Sequence, residues 1–203
     1  MESHLEFEVP TWSQLYESLL AIAQRIRSSG YRVDLVVGVA RGGVVAARIL
    51  TDLLEAPQLG FVHVSFYVDL AQTAPKPTLR CPAELDVEDR NVLLVDDIAD
   101  SGRSLQLAKS HLQSQGPDAI RTATIYYKPT SCIIPDYYDK QAQKWVVFPW
   151  EAKETLRKIA EKQPGRRALH AEVAKLVKAG LPKQLTQKLL TEIEQEHHDA
   201  PPP

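Results

Sequence analysis

Val92-Leu93-Leu94-Val95-Asp96-Asp97-Ile98-Ala99-Asp100-Ser101-Gly102-Arg103-Ser104 is the stretch that decides the architecture. Residues 91–95 read as a short strand, apolar from Val92 to Val95, the composition of a strand buried on both faces. That strand carries Asp96 and Asp97 to its exposed end. A tight turn follows, and residues 103–115 have helical spacing until Gly116-Pro117 stops them. Ser101, Gly102 and Ser104 fall where the backbone N–H groups of a helix N-terminus have no intrahelical partner. Free donors and the positive end of the helix dipole suit a phosphate. Gly102 lets the backbone approach closely, and the hydroxyls add donors.

One segment therefore offers a phosphate cradle with two carboxylates a few residues before it. A ribose 5-phosphate would satisfy both, with its phosphate in the turn and its 2′- and 3′-hydroxyls donating to Asp96 and Asp97. Carboxylates near an anomeric carbon also stabilise a developing oxocarbenium charge. The plain alternative is a capped strand-to-helix turn, but the acids, glycine and hydroxyls are all in register for binding.

Outward from this stretch, strand-like and helix-like segments alternate. Thr11 and Gln14 make a capping box. Leu15, Leu19, Ile22 and Ile26 follow at helical spacing until Gly30. Residues 33–37 read as a buried strand, 38–43 as a glycine-rich turn, 44–54 as a helix closed by Pro57, and 61–67 as a strand. Residues 68–82, with Pro75, Pro77 and Pro82, read as a long loop, a length usually functional. Residues 120–127 and 144–148 read as further strands. The alternation predicts an α/β fold, a doubly wound and mostly parallel sheet with ligands at the carboxyl ends of its strands. Past Glu151, residues 152–163, 166–179 and 182–196 read as helices. Leu169, Val173 and Leu176 form one apolar stripe, and Leu181, Leu185, Leu189 and Ile193 another. The expected organisation is a main domain over 1–163 and a helical extension over 164–203, disordered from His197.

Composition sets outer limits. Hydrophobic residues are 44% and charged residues 25% of the 203, ordinary for a globular chain. A net charge of -2 gives no global basic excess for nucleic acid. No apolar run nears the roughly 18 residues of a membrane span, and the acidic start lacks a secretory h-region. Cys81 and Cys132 show no metal-ligand spacing, which fits a reduced, cytoplasmic protein.

The segment from Val92 to Ser104 resembles the binding signature for phosphoribosyl pyrophosphate (PRPP) in type I phosphoribosyltransferases: four apolar residues, two acids, two residues, then Asp/Ala-Thr-Gly-x-Thr. Here Ser101 and Ser104 stand where threonine is commoner, keeping the hydroxyls. The resemblance extends over residues 10–151 and implies that fold, with a small hood near 128–151. It implies that Asp100, Ser101, Gly102, Arg103 and Ser104 bind the 5′-phosphate. Asp100 would be the acid/base near N7 of a purine, with Asp96 and Asp97 completing the catalytic group. Gly38-Val39-Ala40-Arg41-Gly42-Gly43 resembles the family's pyrophosphate loop, implying roles for Ala40, Arg41 and Gly42 and a cis peptide between Ala40 and Arg41. Residues 68–82 match the position of its closing loop, with Lys76 and Arg80 as candidates to meet pyrophosphate; solvated loop charges are the plain reading. Such a lid excludes the water that would hydrolyse an oxocarbenium ion.

The run Lys144-Trp145-Val146-Val147-Phe148-Pro149-Trp150-Glu151 is similar to the hood of archaeal and xanthine–guanine type enzymes. The match implies that Lys128 bonds a 6-oxo group, Trp145 stacks on the base and the Val146 backbone meets its edge. Glu151 would serve the metal or the base edge, and Trp150 is read as packing. Mg2+ is implied because PRPP carries its pyrophosphate as a metal complex, with Asp96 and Asp97 acting on it indirectly. The expected partners are PRPP, a 6-oxopurine and further copies of the chain in a homodimer or larger assembly. The alternatives are a PRPP- or purine-sensing regulator of the same fold and an enzyme for a pyrimidine or another base. Basic residues on the C-terminal helices, such as Lys175 and Lys183, read as a solvated face rather than a nucleic-acid contact.

Overall fold

A computed structural model of the chain describes residues 6–67, 76–81, 86–162 and 166–199. In chain order the elements are β1 (Phe7–Glu8), α1 (Trp12–Ser28), β2 (Leu35–Ala40), α2 (Gly43–Leu53), β3 (Gln58–Tyr67), β4 (Lys76–Cys81) and β5 (Asn91–Ala99). Then come α3 (Arg103–Gln113), β6 (Ala119–Tyr127), β7 (Tyr137–Gln141), β8 (Trp145–Val146), a 3-10 turn (Pro149–Glu151), α4 (Ala152–Lys162), α5 (Arg166–Ala179) and α6 (Lys183–Asp199). The chain divides into two compact units: Leu15–Gln143, and the two chain ends up to Gln14 and from Lys144.

The first unit is built on a six-stranded sheet in the order β4-β3-β2-β5-β6-β7. Every neighbouring pair is parallel except β3 with β4, so the expected doubly wound, mostly parallel sheet is present. From β2 the chain steps to β3 on one side, and β5 lies on the other. The carboxyl ends of β2 and β5 therefore flank the crevice where strand order reverses, the place such sheets bind ligands. Leu15, Leu19, Ile22 and Ile26 of α1 are buried as the spacing predicts. Each contributes about 2 kcal/mol of apolar burial. Val37, Val39, Val62, Val92 and Leu94 form a core with Leu105, Ala108 and Leu112 of α3.

The structure corrects several boundaries. β2 runs through Gly38 to Ala40, so the expected turn at 38–43 shrinks to Arg41 and Gly42. Gly38 is a packing glycine: a Cβ there would lie 2.9 Å from the Ala47 Cβ. β5 continues past the acid pair to Ala99, and α3 closes at Gln113. The expected loop over 68–82 contains β4, antiparallel to β3 with Tyr67 opposite Lys76. Its prolines concealed it, and Pro77 is tolerated because β4 is an edge strand. Residues 68–75 and 82–85 lie outside the described residues. β7 is a strand the periodicity missed, half-buried along most of its length.

The second unit holds a short sheet, β1 parallel to β8, and the three C-terminal helices. The Thr11 capping box forms, with Thr11 N–H donating to Gln14 Oε1 at 2.8 Å and Gln14 N–H to Thr11 Oγ1 at 3.3 Å. The strand expected over 144–148 is only the pair Trp145–Val146. Leu156, Leu176, Leu181 and Ile193 share a core with Val147, but Leu185 is exposed and leaves the stripe assigned to it. The helix α6 is assigned to Asp199, and residues 200–203 lie outside the described residues. Lys153 pairs with Glu192 and Glu196, and Arg157 with Glu196, joining α4 to α6. No described helix is long and apolar enough to cross a membrane.

Candidate active site

Two strand-to-helix turns meet at the carboxyl ends of β2 and β5. After β2 the chain passes through Arg41 and Gly42 into α2, whose first residue is Gly43. The Ala40–Arg41 peptide is cis, as expected. After β5 it passes through Asp100, Ser101 and Gly102 into α3. The two turns touch. A Cβ on Gly42 would fall 1.9 Å from Asp97 Oδ2, and one on Gly43 would fall 2.5 Å from the Val95 carbonyl and 3.0 Å from Asp96 Oδ1. Glycine at both positions is a condition of this contact.

Asp96 and Asp97 are 8% and 7% exposed. Asp96 Oδ1 accepts the Asp97 N–H at 2.9 Å, and Asp97 Oδ1 accepts the Ile98 N–H at 2.8 Å. Burial and, after it, the neighbouring Asp97 charge hold the Asp96 carboxyl well above the usual aspartate range, against the opposing pull of the Asp97 and Gly43 amides. Two like charges share a site with little water, so one proton binds more readily.

The turn into α3 has the predicted character. Gly102 adopts φ 72 and is buried. No side chain caps α3, so its first amides remain available to an anion. Ser101 and Arg103 are exposed and Ser104 is half-buried. The Lys128 ammonium, just past β6, pairs with Asp100 Oδ2 at 2.8 Å, while its own amide donates to the Ala99 carbonyl. The following segment covers the turn: Cys132 N–H donates to the Ser101 carbonyl at 3.0 Å, and a Cβ on Gly102 would fall 2.3 Å from Ser131 Oγ.

In the first unit the structure thus brings together Ala40, Arg41 and Gly42 with Asp96 and Asp97, and Asp100 to Ser104 with Lys128. Lys76 begins β4; its side chain, like that of Arg80, is outside the described residues. In the second unit, Trp145 and Val146 form β8, and Trp145 is 44% exposed, so it is no core aromatic. Glu151 Oε1 accepts the Phe148 N–H at 3.2 Å, capping the 3-10 turn. Trp150 packs as expected, stacked on Phe148 with centroids 4.9 Å apart and tilted against Trp12 at 5.4 Å. Sequence reasoning gave Gly43 no role of its own within the loop and passed over Ser131. The glycine doublet signalled the first; nothing local signalled the second.

Mg2+ needs hard oxygen ligands and keeps several from substrate and water. No group of three or more His, Cys, Asp or Glu able to hold a metal exists among the described residues. The buried Asp96–Asp97 pair fits an ion brought in largely by its substrate rather than one caged by protein.

Three comparisons bear on this geometry. The family model described as phosphoribosyl transferase domain matches residues 11–155. A xanthine-guanine phosphoribosyltransferase of Cereibacter sphaeroides is 31% identical over 149 residues, covering 70% of this chain and 84% of that protein. Among solved structures, a purine phosphoribosyltransferase from Pyrococcus horikoshii superposes with a TM-score of 0.65 at 33% identity, covering 72% of this chain and 94% of that one. A Helicobacter pylori xanthine-guanine-hypoxanthine phosphoribosyltransferase shares the fold at 23% identity, with a TM-score of 0.64 and coverage of 75% and 99%.

Proposed function

The chain belongs to the phosphoribosyl transferase domain family, and from that premise we propose that it transfers the 5-phosphoribosyl group of PRPP to a 6-oxopurine. The products are a nucleoside 5′-monophosphate and pyrophosphate. The observation that carries the reading is the contact of Gly42 and Gly43 with Asp97 and Asp96. It sets a loop suited to pyrophosphate against a buried acid pair suited to ribose hydroxyls, at the switch point of the sheet.

In this reading the amides and hydroxyls of Ser101, Gly102, Arg103 and Ser104 hold the 5′-phosphate, with Asp100 at the edge of the turn. Ala40, Arg41 and Gly42 hold the pyrophosphate, and Lys76 is a further candidate to meet it. The bond from C1′ to pyrophosphate oxygen breaks, pyrophosphate leaves with the electron pair, and a purine nitrogen bonds C1′. Asp96 and Asp97 stabilise the oxocarbenium-like charge, and Asp100 takes the proton released near N7. Asp96 and Asp97 would act indirectly on a bound Mg2+, whose chemistry would be to neutralise pyrophosphate charge. Lys128, a donor, favours a 6-oxo group over the amino group of adenine. Trp145 offers an exposed aromatic face for the base, the Val146 backbone its edge contacts, and Glu151 an acid near the base or metal. A homodimer or larger assembly completes the proposal.

The test is turnover of purified protein with Mg2+, PRPP and hypoxanthine, guanine, xanthine, adenine, uracil or orotate, reading nucleotide and pyrophosphate. Turnover of a 6-oxopurine that vanishes in Asp100→Ala is expected. PRPP binding without turnover of any base would overturn the reading and leave a sensor in its place.

A further inference from the structure

We infer that Asp96, beyond its place in the acid pair, has a positioning role that Asp97 does not share: it locks the acid strand to the start of α2. This rests on the phosphoribosyl-transfer reading. The two carboxylates look equivalent in sequence but meet different partners. Asp97 Oδ2 lies against Gly42, in the turn itself. Asp96 lies one residue further in, against Gly43, the first residue of the α2 helix. Its carboxylate takes the Asp97 N–H and is also a hydrogen-bond acceptor for the Gly43 backbone amide.

The consequence is geometric. Gly43 N–H is one of the amides of a helix N-terminus that have no intrahelical partner. The Asp96 carboxyl oxygen accepts from it, reaching across from a different strand. It thereby ties β5 to the helix whose preceding residues, Arg41 and Gly42, are the pyrophosphate loop. Nothing larger than glycine fits at 43, because the Val95 carbonyl and the Asp96 Cα would both be within 2.8 Å of a Cβ. Asp96 thus also acts on PRPP through the placing of the loop, while Asp97, on the same strand, lies against Gly42 of the turn.

The experiment compares Asp96→Ala, Asp96→Asn, Gly43→Ala and the double variant Asp96→Ala/Gly43→Ala. PRPP Kd is read by calorimetry with Mg2+ and no base, beside KM for PRPP and for guanine and the thermal midpoint. Asp96→Ala is expected to weaken PRPP by roughly 30-fold or more, as misplaced binding groups do, with guanine KM within about threefold. Asn keeps a side-chain oxygen to accept the same amides, so Asp96→Asn recovers most of the affinity lost in Asp96→Ala. Gly43→Ala weakens PRPP in the same way, and the double variant is hardly worse than the poorer single one, because both cut one connection. Asp96→Asn as weak as Asp96→Ala, or a double variant whose losses multiply, overturns the inference. Where Asp96→Ala shows no cooperative melting, Asp96→Asn decides alone: PRPP affinity within about tenfold of wild type supports the lock, and a loss of about a hundredfold sinks it. Wild-type turnover is measured separately, so a wild type that binds PRPP but turns over no base defeats the transfer reading without touching this one.

Discussion

The Lys128 ammonium lies 2.8 Å from the Asp100 carboxylate, although 28 residues separate them in the chain. Lys128 is mostly covered and Asp100 about half exposed, so the pair spans from the sheet to the mouth of the turn. Without a base, each group has the other as partner. A 6-oxopurine entering between them would exchange that pair for one contact to each. Asp100→Asn is expected to lower kcat by about 10²–10⁴-fold, the usual worth of a general base, with PRPP KM nearly unchanged. Lys128→Gln should instead raise KM for guanine by about tenfold or more, the cost of a lost charged hydrogen bond. Steady-state kinetics in each substrate separates the two.

Gly102 combines φ 72 with a site already filled by Ser131. Gly102→Ala is expected to cost about 2 kcal/mol or more, from the left-handed backbone and the overlap together. It should also weaken PRPP, since the phosphate turn must shift. Chemical denaturation and PRPP calorimetry on the same preparation check both.

Thr124 Oγ1 is the one buried side-chain polar atom without a hydrogen-bond partner among the described residues. Thr124 is the register neighbour of Asp96 on β6. A buried, unsatisfied hydroxyl costs about 1–3 kcal/mol, and valine has nearly the same shape. Thr124→Val is therefore expected to raise stability by about 1 kcal/mol. A fall in the denaturation midpoint would count against it.

Asp136 fixes the start of β7 to β6. It is partly desolvated, which alone would raise its pKa, but the Thr122 N–H and hydroxyl, each at 2.8 Å, and Arg121 at 3.0 Å hold it below the usual range. A depressed folded pKa stabilises above the ordinary aspartate value and loses that stabilisation as pH falls through the folded one. Asp136→Asn should thus be less stable than wild type at pH 6, by about 1 kcal/mol. The gap should close on acidification from about pH 4 toward pH 2. A gap independent of pH would refute the role of the charge.

Much of this was readable in the chain. The alternation of buried strands with amphipathic helices determined a mostly parallel sheet, because a strand covered on both faces leaves a continuous apolar run such as Val92 to Val95. The turn from Asp96 to Ser104 determined its own chemistry, since acids, glycine and hydroxyls act through local backbone geometry. Edge strands were harder. β7 is half-exposed, so it carries no apolar run, and the prolines around Lys76 made β4 read as loop.

What the chain could not state is which distant residues meet. Asp96 and Asp97 are neighbours of one composition, yet one lies against Gly43 and the other against Gly42. Lys128 finds Asp100, and Ser131 closes over Gly102. Local pattern follows from steric and hydrogen-bonding rules within a few residues. These pairings depend on the sheet order that places β2 beside β5 and β5 beside β6, and only the packed sheet sets that order.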